Sequence, residues 1–217
     1  MAIGVAGSRS GENIDRLGTA QWLQAAPGRS SMISGLRGIY PACFVSGRVV
    51  TCQCEPGDNL ALHIALTLAP ERSVIVCAAP EEPNVAFFGS LMGLDARNRG
   101  IAGLVIDGRV RDVEQLERIE FPVFCAGTSP AQPKKEFAGS CGVPVKVRGV
   151  AVNPDDYMIA DGDGVVVVPG AIWAETLRKA YEIAGVEASI RERLKRGEPL
   201  FDVLDLPRRL GQLGRGT

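Results

Sequence analysis

A chain of 217 residues, 46% of them hydrophobic, can bury the core of one large domain or two small ones; with 6% aromatic residues that core must rest on Val, Ile, Leu and Ala. The 24 basic residues nearly cancel the 25 acidic ones, which argues against nucleic acid or a membrane surface as a partner. Apolar runs such as Val165 to Val168 are far too short to span a bilayer, and the N-terminus lacks a basic stretch leading into an apolar one, so no secretory signal is expected.

Residues 1–11 are small and polar and read as a flexible tail, with residues 12–217 as a single domain. A helix is predicted over 12–26, and the Gly-, Pro- and Ser-rich stretch 27–43 reads as loop. FVSGRVVTCQC (44–54) predicts a strand, EPGD a turn, and LALHIALTLAP a helix with Asn59 as its cap. SVIVCAA (73–79), apolar at successive positions, predicts a strand buried on both faces. GSLMGLDARNRG predicts a helix closed by Gly100. IAGLVID (101–107) predicts a strand, DVEQLERI (112–119) a short helix and FPVFCAG (121–127) a strand. After the polar loop TSPAQPKKEFAGSCG come VPVKVRGVAV, the turn NPDD, the strand YMIAD, the tight turn GDG and the strand VVVVP. Residues 170–196 predict one long helix, and the tail beyond Gly197 is polar apart from LFDVLDL. Strands that alternate with helices and then give way to hairpin-like strands predict an α/β fold with a mixed sheet and a long C-terminal helix.

Several motifs resolve into ordinary structure. DGDG (161–164) is like the opening of a calcium loop but lacks the later ligands, so a hairpin turn is expected. His63 is the single histidine and sits mid-helix, which leaves no histidine-based triad or metal site. Cys52 and Cys54 share one face of a strand. Without a CxxC pair or a companion histidine, they read as small buried hydrophobes rather than a metal or redox centre. Thiols in apolar runs, with no secretion signal, point to a reducing cytoplasm. GVAGSRSG lacks the lysine of a phosphate loop, and IRERLKR reads as a solvated helix face.

Two strand-to-helix corners carry more. In FFGSLMG (87–93) Ser90 suits an N-cap, leaving the N–H groups of Leu91 and Met92 near a helix start that favours an anion. In LVIDGRVRDVEQL (104–116) local pattern alone makes Asp112 the cap of the next helix, with Gln115 as capping-box partner and Arg109 and Arg111 facing solvent. The chemical alternative is that Arg111 and Asp112 project from a strand end into a site. In open α/β sheets ligands gather at the carboxyl ends of strands, so the two corners could face one cleft.

The stretch FFGSLMGLDARNRGIAGLVIDGRVRD resembles the signature of the 4-hydroxy-4-methyl-2-oxoglutarate/4-carboxy-4-hydroxy-2-oxoadipate aldolases, which share a superfamily with the regulator of ribonuclease activity A. SGRVVTC, FPVF, YMIADGDGVVVVP and EASIRERLKRGEPLF extend the resemblance over about residues 40–205. It implies a swivelling β/β/α-type fold, assembled as trimers or as hexamers of two trimers, with active sites between subunits. It further implies that Asp112 binds Mg²⁺ or Mn²⁺, that Arg111 contacts the substrate, and that the backbone of Gly89, Leu91 and Met92 holds a pyruvoyl carboxylate. Glu187, from a neighbouring subunit, would contact metal-bound water. The reaction implied is retro-aldol cleavage of a 4-hydroxy-2-oxo acid to pyruvate through a metal-stabilised enolate, with oxaloacetate decarboxylation as a side activity. The alternatives are a non-catalytic regulatory protein, like the ribonuclease regulator, or a divergent enzyme with the same site. One position departs from the pattern: where the aldolases carry an acid, this chain has Ser90, a poor base near neutral pH.

Overall fold

The computed structural model describes residues 17–80 and 84–213; the tail expected over 1–11 lies outside them. The chain divides into a large unit, Gly18–Ala180, and a second unit that includes residues 181–213. In the large unit α1 (Thr19–Ala25) precedes two short strands, β1 (Ser31–Ile33) and β2 (Arg37–Gly38). Then follow β3 (Val45–Gln53), α2 (Leu60–Leu68), β4 (Val74–Ala78), β5 (Ala86–Phe88), α3 (Ser90–Asn98), β6 (Gly103–Val110), α4 (Val113–Arg118) and β7 (Val123–Thr128). Next come β8 (Ser140–Cys141), β9 (Val145–Val147), β10 (Val150–Val152), β11 (Tyr157–Ala160) and β12 (Val165–Val168). A 3-10 turn, Gly170–Ile172, leads into α5 (Trp173–Lys195). The alternation expected from the sequence is present, and the fold is mixed α/β with a long C-terminal helix.

The main sheet runs in the order β1-β12-β11-β3-β4-β6-β7-β2. β3, β4, β6 and β7 are parallel neighbours, whereas β11, β12 and the end strands join antiparallel. β1 and β2 lie at opposite ends of this path although only residues 34–36 separate them. Laid flat, eight strands would set the two ends roughly 34 Å apart. The chain from Ile33 to Arg37 reaches only about 14 Å. The sheet therefore curls until its ends approach. The loop expected over 27–43 supplies these strands because distant partners, β12 and β7, impose extended backbone on a segment without strand pattern of its own.

Both sheet faces are covered, which accounts for the unbroken apolar runs. On β4, Val74 and Val76 join an apolar cluster with Val49, Phe124, Val147 and Met158, while Ile75 and Cys77 join another with Leu62, Leu66, Phe88 and Leu116 from the helical side. Trp173 stacks on Tyr157 at 3.6 Å and on Trp22 at 4.5 Å, tying the start of α5 to β11 and α1.

In the second unit the tail beyond Gly197 is not merely polar: it forms α6 (Leu200–Val203) and α7 (Leu206–Leu213). Arg193 binds Glu198 at 2.7 Å and donates to the Val203 carbonyl at 3.3 Å, which fastens the turn at Gly197. Leu200 and Phe201 of α6 stay exposed. No helix among the described residues is long and apolar enough to cross a membrane.

Candidate functional site

Three segments meet at the carboxyl ends of β5, β6 and β7. β6 continues three residues past its expected end at Asp107 because both neighbours bind it there: Arg109 and Val110 are in register with Ala86 and Phe88 of β5 and with Gly127 and Thr128 of β7. The Arg111 N–H still donates to the Phe88 carbonyl at 2.9 Å. The chain then turns at Asp112, whose φ of 59° and ψ of 39° are left-handed, a region aspartate tolerates better than most residues.

That turn overturns both capping expectations. Asp112 precedes α4, but its side chain makes no capping bond to it; the Gln115 N–H is met by the Asp112 backbone carbonyl at 3.0 Å. Nor is Ser90 the N-cap of α3, for Gly89 holds that position and Ser90 is the first helical residue. Instead Asp112 Oδ2 accepts the Ser90 N–H at 3.0 Å and the Ser90 Oγ–H at 2.9 Å. A carboxylate from the neighbouring corner closes the helix start and faces its positive end. α1 begins in the same way: Thr19 follows Gly18 and gives both its N–H and its Oγ–H to Asp161, each at 2.8 Å. Asp161 opens the DGDG segment, which is the β11–β12 hairpin turn expected of it.

Gly89 permits the approach. A Cβ there would lie 2.7 Å from Asp112 Oδ2 and 3.0 Å from Arg111 Cγ. Its backbone is extended (φ −158°), so the obstacle is steric rather than conformational. Gly89→Ala is expected to displace the Asp112 carboxylate from Ser90 and to cost about 1–3 kcal/mol of stability. Urea unfolding checks this, and an unchanged midpoint would contradict it.

Arg111 lies across Gly89 with Nε 3.7 Å from Asp112 Oδ2, and both side chains are about one-third exposed. With Val113, Thr128, Ser129 and Gln132 they line an open depression of about 400 Å³. The N–H groups of Leu91 and Met92, in the first turn of α3, donate to no described residue. Asn59, expected to cap α2 with its side chain, does something else. Its buried Nδ2 donates to the Phe87 carbonyl at 2.8 Å and lies 3.5 Å from Met92 Sδ, while Asp58 Oδ1 takes the Leu60 N–H at 2.9 Å. Asn59 thus secures the β5–α3 corner, a role hidden in sequence because its partners are 28 and 33 residues away.

Asp112 Oδ1 accepts no hydrogen bond from a described residue, since both Ser90 contacts fall on Oδ2. One available carboxylate oxygen in an open depression fits a hard cation that keeps several waters, such as Mg²⁺ or Mn²⁺. It does not fit a stripped ion held in a protein cage, and the described residues hold no group of three or more His, Cys, Asp or Glu side chains placed for one. Glu187 lies half-buried on α5 in the second unit, whereas Asp112 belongs to the large one. His63 sits half-buried on α2; burial, then Lys135, depresses its pKa against the pull of Asp95.

The cysteines are core residues. Cys52 and Cys54 are buried on the helical side of the sheet, Cys52 is in register with Cys77 and with Cys141, and Cys54 Sγ lies 3.6 Å from Cys77 Sγ. Hydrogen bonds from Cys52 and Cys54, then burial, raise the Cys77 pKa; burial, then Cys52 and Cys54, raises that of Cys141 to about 11. Because the thiolate is the reactive form, a raised pKa means slow reaction at pH 8. A thiol-specific reagent is expected to modify at most half-exposed Cys141 in the folded protein and all six cysteines in denaturant. Rapid native modification of two or more would contradict the buried arrangement.

A profile of the Aldolase/RraA family (RraA-like) matches residues 14–167. A protein of Halalkalibacterium halodurans, provisionally named 4-hydroxy-4-methyl-2-oxoglutarate aldolase, is 35% identical over 156 residues, covering 72% of this chain and 74% of that one. Among solved structures, an uncharacterized protein from Pseudomonas syringae superposes with a TM-score of 0.76 at 26% identity, over 87% of this chain and 93% of that one. Streptomyces coelicolor RraAS2, described as an unusual member of the RNase ES inhibitor RraA protein family, superposes with a TM-score of 0.72 at 28% identity, over 86% and 99%. With the profile spanning most of its length, this chain belongs to the Aldolase/RraA family.

Proposed function

We propose that the protein is a divalent-cation-dependent carbon–carbon lyase that cleaves a 4-hydroxy-2-oxo acid to pyruvate. The observation that carries this reading is that Arg111 and Asp112 line one open depression while Asp112 also binds Ser90 at the start of α3. The N–H groups of Leu91 and Met92, at the positive end of α3, suit the carboxylate of the pyruvoyl end. Arg111 places a cation where charge develops on the C4 oxygen. Asp112 would hold Mg²⁺ or Mn²⁺ through Oδ1, and a cation there would polarise the 2-oxo oxygen as a Lewis acid.

In the reaction the C3–C4 bond breaks and its electron pair passes to the oxo-acid fragment. The C4 hydroxyl loses its proton and becomes a carbonyl, and the fragment takes up a proton at C3 to leave as pyruvate. Ser90 does not remove the hydroxyl proton, since its own is directed at Asp112 Oδ2 and a serine hydroxyl is a poor base. That proton goes to solvent in the open depression. Oxaloacetate decarboxylation breaks a carbon–carbon bond without this step and is the less demanding reaction here. Assembly into trimers or hexamers, with Glu187 reaching a neighbour's site, completes the reading. The test is pyruvate release from a panel of 4-hydroxy-2-oxo acids and oxaloacetate, with and without Mg²⁺ or Mn²⁺; no release from any of them would sink it.

The likeness to RraAS2 favours a second reading, in which the chain binds a ribonuclease without turnover and Asp112 serves only to close α3. Ribonuclease inhibition that is equal in the wild type and Asp112→Asn, with no pyruvate release by either, would favour it.

A further inference from the structure

The chemistry above uses no cysteine, yet Cys52, Cys54, Cys77 and Cys141 gather in one cluster on the helical side of the sheet. Cys52, Cys54 and Cys77 are at most 1% exposed. Cys141, on β8, is half-exposed and is the member through which the cluster meets solvent. Its Sγ–H donates to the Ala61 carbonyl at 3.3 Å, and a thiol is a weak donor.

β8 pairs antiparallel with β3, which sets Cys141 directly opposite Cys52. The Gly142 N–H donates to the Thr51 carbonyl at 2.9 Å, so the adjacent pair, Thr51 with Gly142, is the hydrogen-bonded one. The two kinds of pair alternate along an antiparallel ladder. Cys52 and Cys141 therefore form a non-hydrogen-bonded pair, in which the α-carbons stand about 4.5 Å apart and the side chains lie closer together. Disulfides join α-carbons about 4.4–6.8 Å apart. The Thr51 Oγ–H, given to the Val143 carbonyl at 2.7 Å, fixes this register. Cys54 and Cys77 also lie close, with sulfurs 3.6 Å apart, but both are sealed from any oxidant.

We propose that Cys141 is a site of reversible oxidation by a hydroperoxide, and that Cys52 resolves it to a disulfide across β3 and β8. The inference does not depend on the lyase reading. With hydrogen peroxide, the Cys141 thiolate attacks one oxygen and the O–O bond breaks, leaving a sulfenic acid and, after protonation, water. The Cys52 thiolate then attacks the sulfenic sulfur, the S–O bond breaks, and hydroxide leaves to become a second water. Two thiols are oxidised and one peroxide is reduced. Burial raises the Cys141 pKa to about 11, so the first step is slow and the disulfide answers sustained oxidant rather than a brief pulse. β8 is two residues long, flanked by left-handed Gly139 (φ 53°) and Gly142 (φ 69°). It ends the loop whose first residues, Ser129, Pro130 and Gln132, line the depression. The disulfide adds a covalent hold to a short ladder.

The test is a peptide map, made without reduction, of the full chain after incubation with hydrogen peroxide. The expected product is a Cys52–Cys141 crosslink that dithiothreitol reverses, with Cys54 and Cys77 still thiols. Of the six thiols counted in denaturant, two should be lost. Cys52→Ala should trap Cys141 as a sulfenic acid that dimedone captures, and Cys141→Ala should leave Cys52 reduced. A crosslink of Cys54 to Cys77 or to Cys141 overturns the inference. So does wild-type Cys141 that passes to sulfinic acid without a crosslink, or that stays reduced under peroxide that oxidises it in denaturant. The wild-type map decides the outcome even where a variant fails to fold, and melting temperatures before peroxide identify such a variant.

Discussion

Asp112→Asn is expected to lower cation-stimulated pyruvate release by about 10³-fold, the scale of losing one placed electrostatic group in an active site, while the melting temperature moves by only a few degrees. The substitution isolates charge from shape. Asparagine keeps an acceptor for the Ser90 N–H and Oγ–H, now bound at 3.0 and 2.9 Å, so α3 stays closed. It also accepts the left-handed backbone at φ 59° as readily as aspartate. Only the negative charge toward a cation is lost. Asp112→Ala is the less informative variant, because it also opens the helix start at a cost of about 1 kcal/mol. A pyruvate-coupled assay across Mg²⁺ and Mn²⁺ concentrations, paired with thermal melts, reads the two effects separately. An Asp112→Asn protein with full turnover would remove the cation from the proposed chemistry, whatever its stability.

Phe88→Ala should have the largest effect on stability. Phe88 is 1% exposed, stacks on Phe121 with ring centroids 5.7 Å apart, and belongs to the apolar cluster with Leu116 beneath the α3–α4 corner. Truncating a buried phenylalanine removes its burial and leaves a cavity, together about 3–5 kcal/mol. For a chain of this size that lowers the melting temperature by roughly 10 °C. The damage lies directly under the site, since the Phe88 carbonyl accepts the Arg111 N–H and Gly89 follows in the chain. Leu91→Ala is the control: Leu91 is 82% exposed, so its truncation should leave the melting temperature within a degree or two. Equal effects from the two variants would contradict the packing described for this corner.

Periodicity made the long apolar strands legible, because β3, β4, β6 and β7 each bury enough of their own surface to leave a pattern. β1 and β2 left none: they are three and two residues long, and their form comes from strands more than eighty residues away. The extension of β6 through Gly108, Arg109 and Val110 was hidden for the same reason, as this segment is held extended by β5 and β7 on either side. The expected site residues Ser90, Arg111 and Asp112 do meet, and Gly89 lies between them. What sequence could not show is direction. Local spacing assigns Asp112 to the helix that follows it and Ser90 to its own, yet one side chain reaches across 22 residues to join the two corners. Arg109 had no assignment in sequence, because Gly127, which leaves room beside its guanidinium, becomes its neighbour only through strand register.

The segment 31–38 acts as a clasp. One continuous stretch fastens β12 at one extremity of the sheet and β7 at the other, so the curl is held shut by covalent chain as well as by packing. Sheet margins are where foreign strands add and where aggregation starts, and proteins guard them by keeping them short or covered. Between them only residues 34 and 35 are exposed, with Gly35 at φ 82°, and they offer a loop open to insertion. Lengthening that loop would leave every residue of the site intact, yet it would give both margins freedom to part. Its first symptom would be self-association rather than lost chemistry.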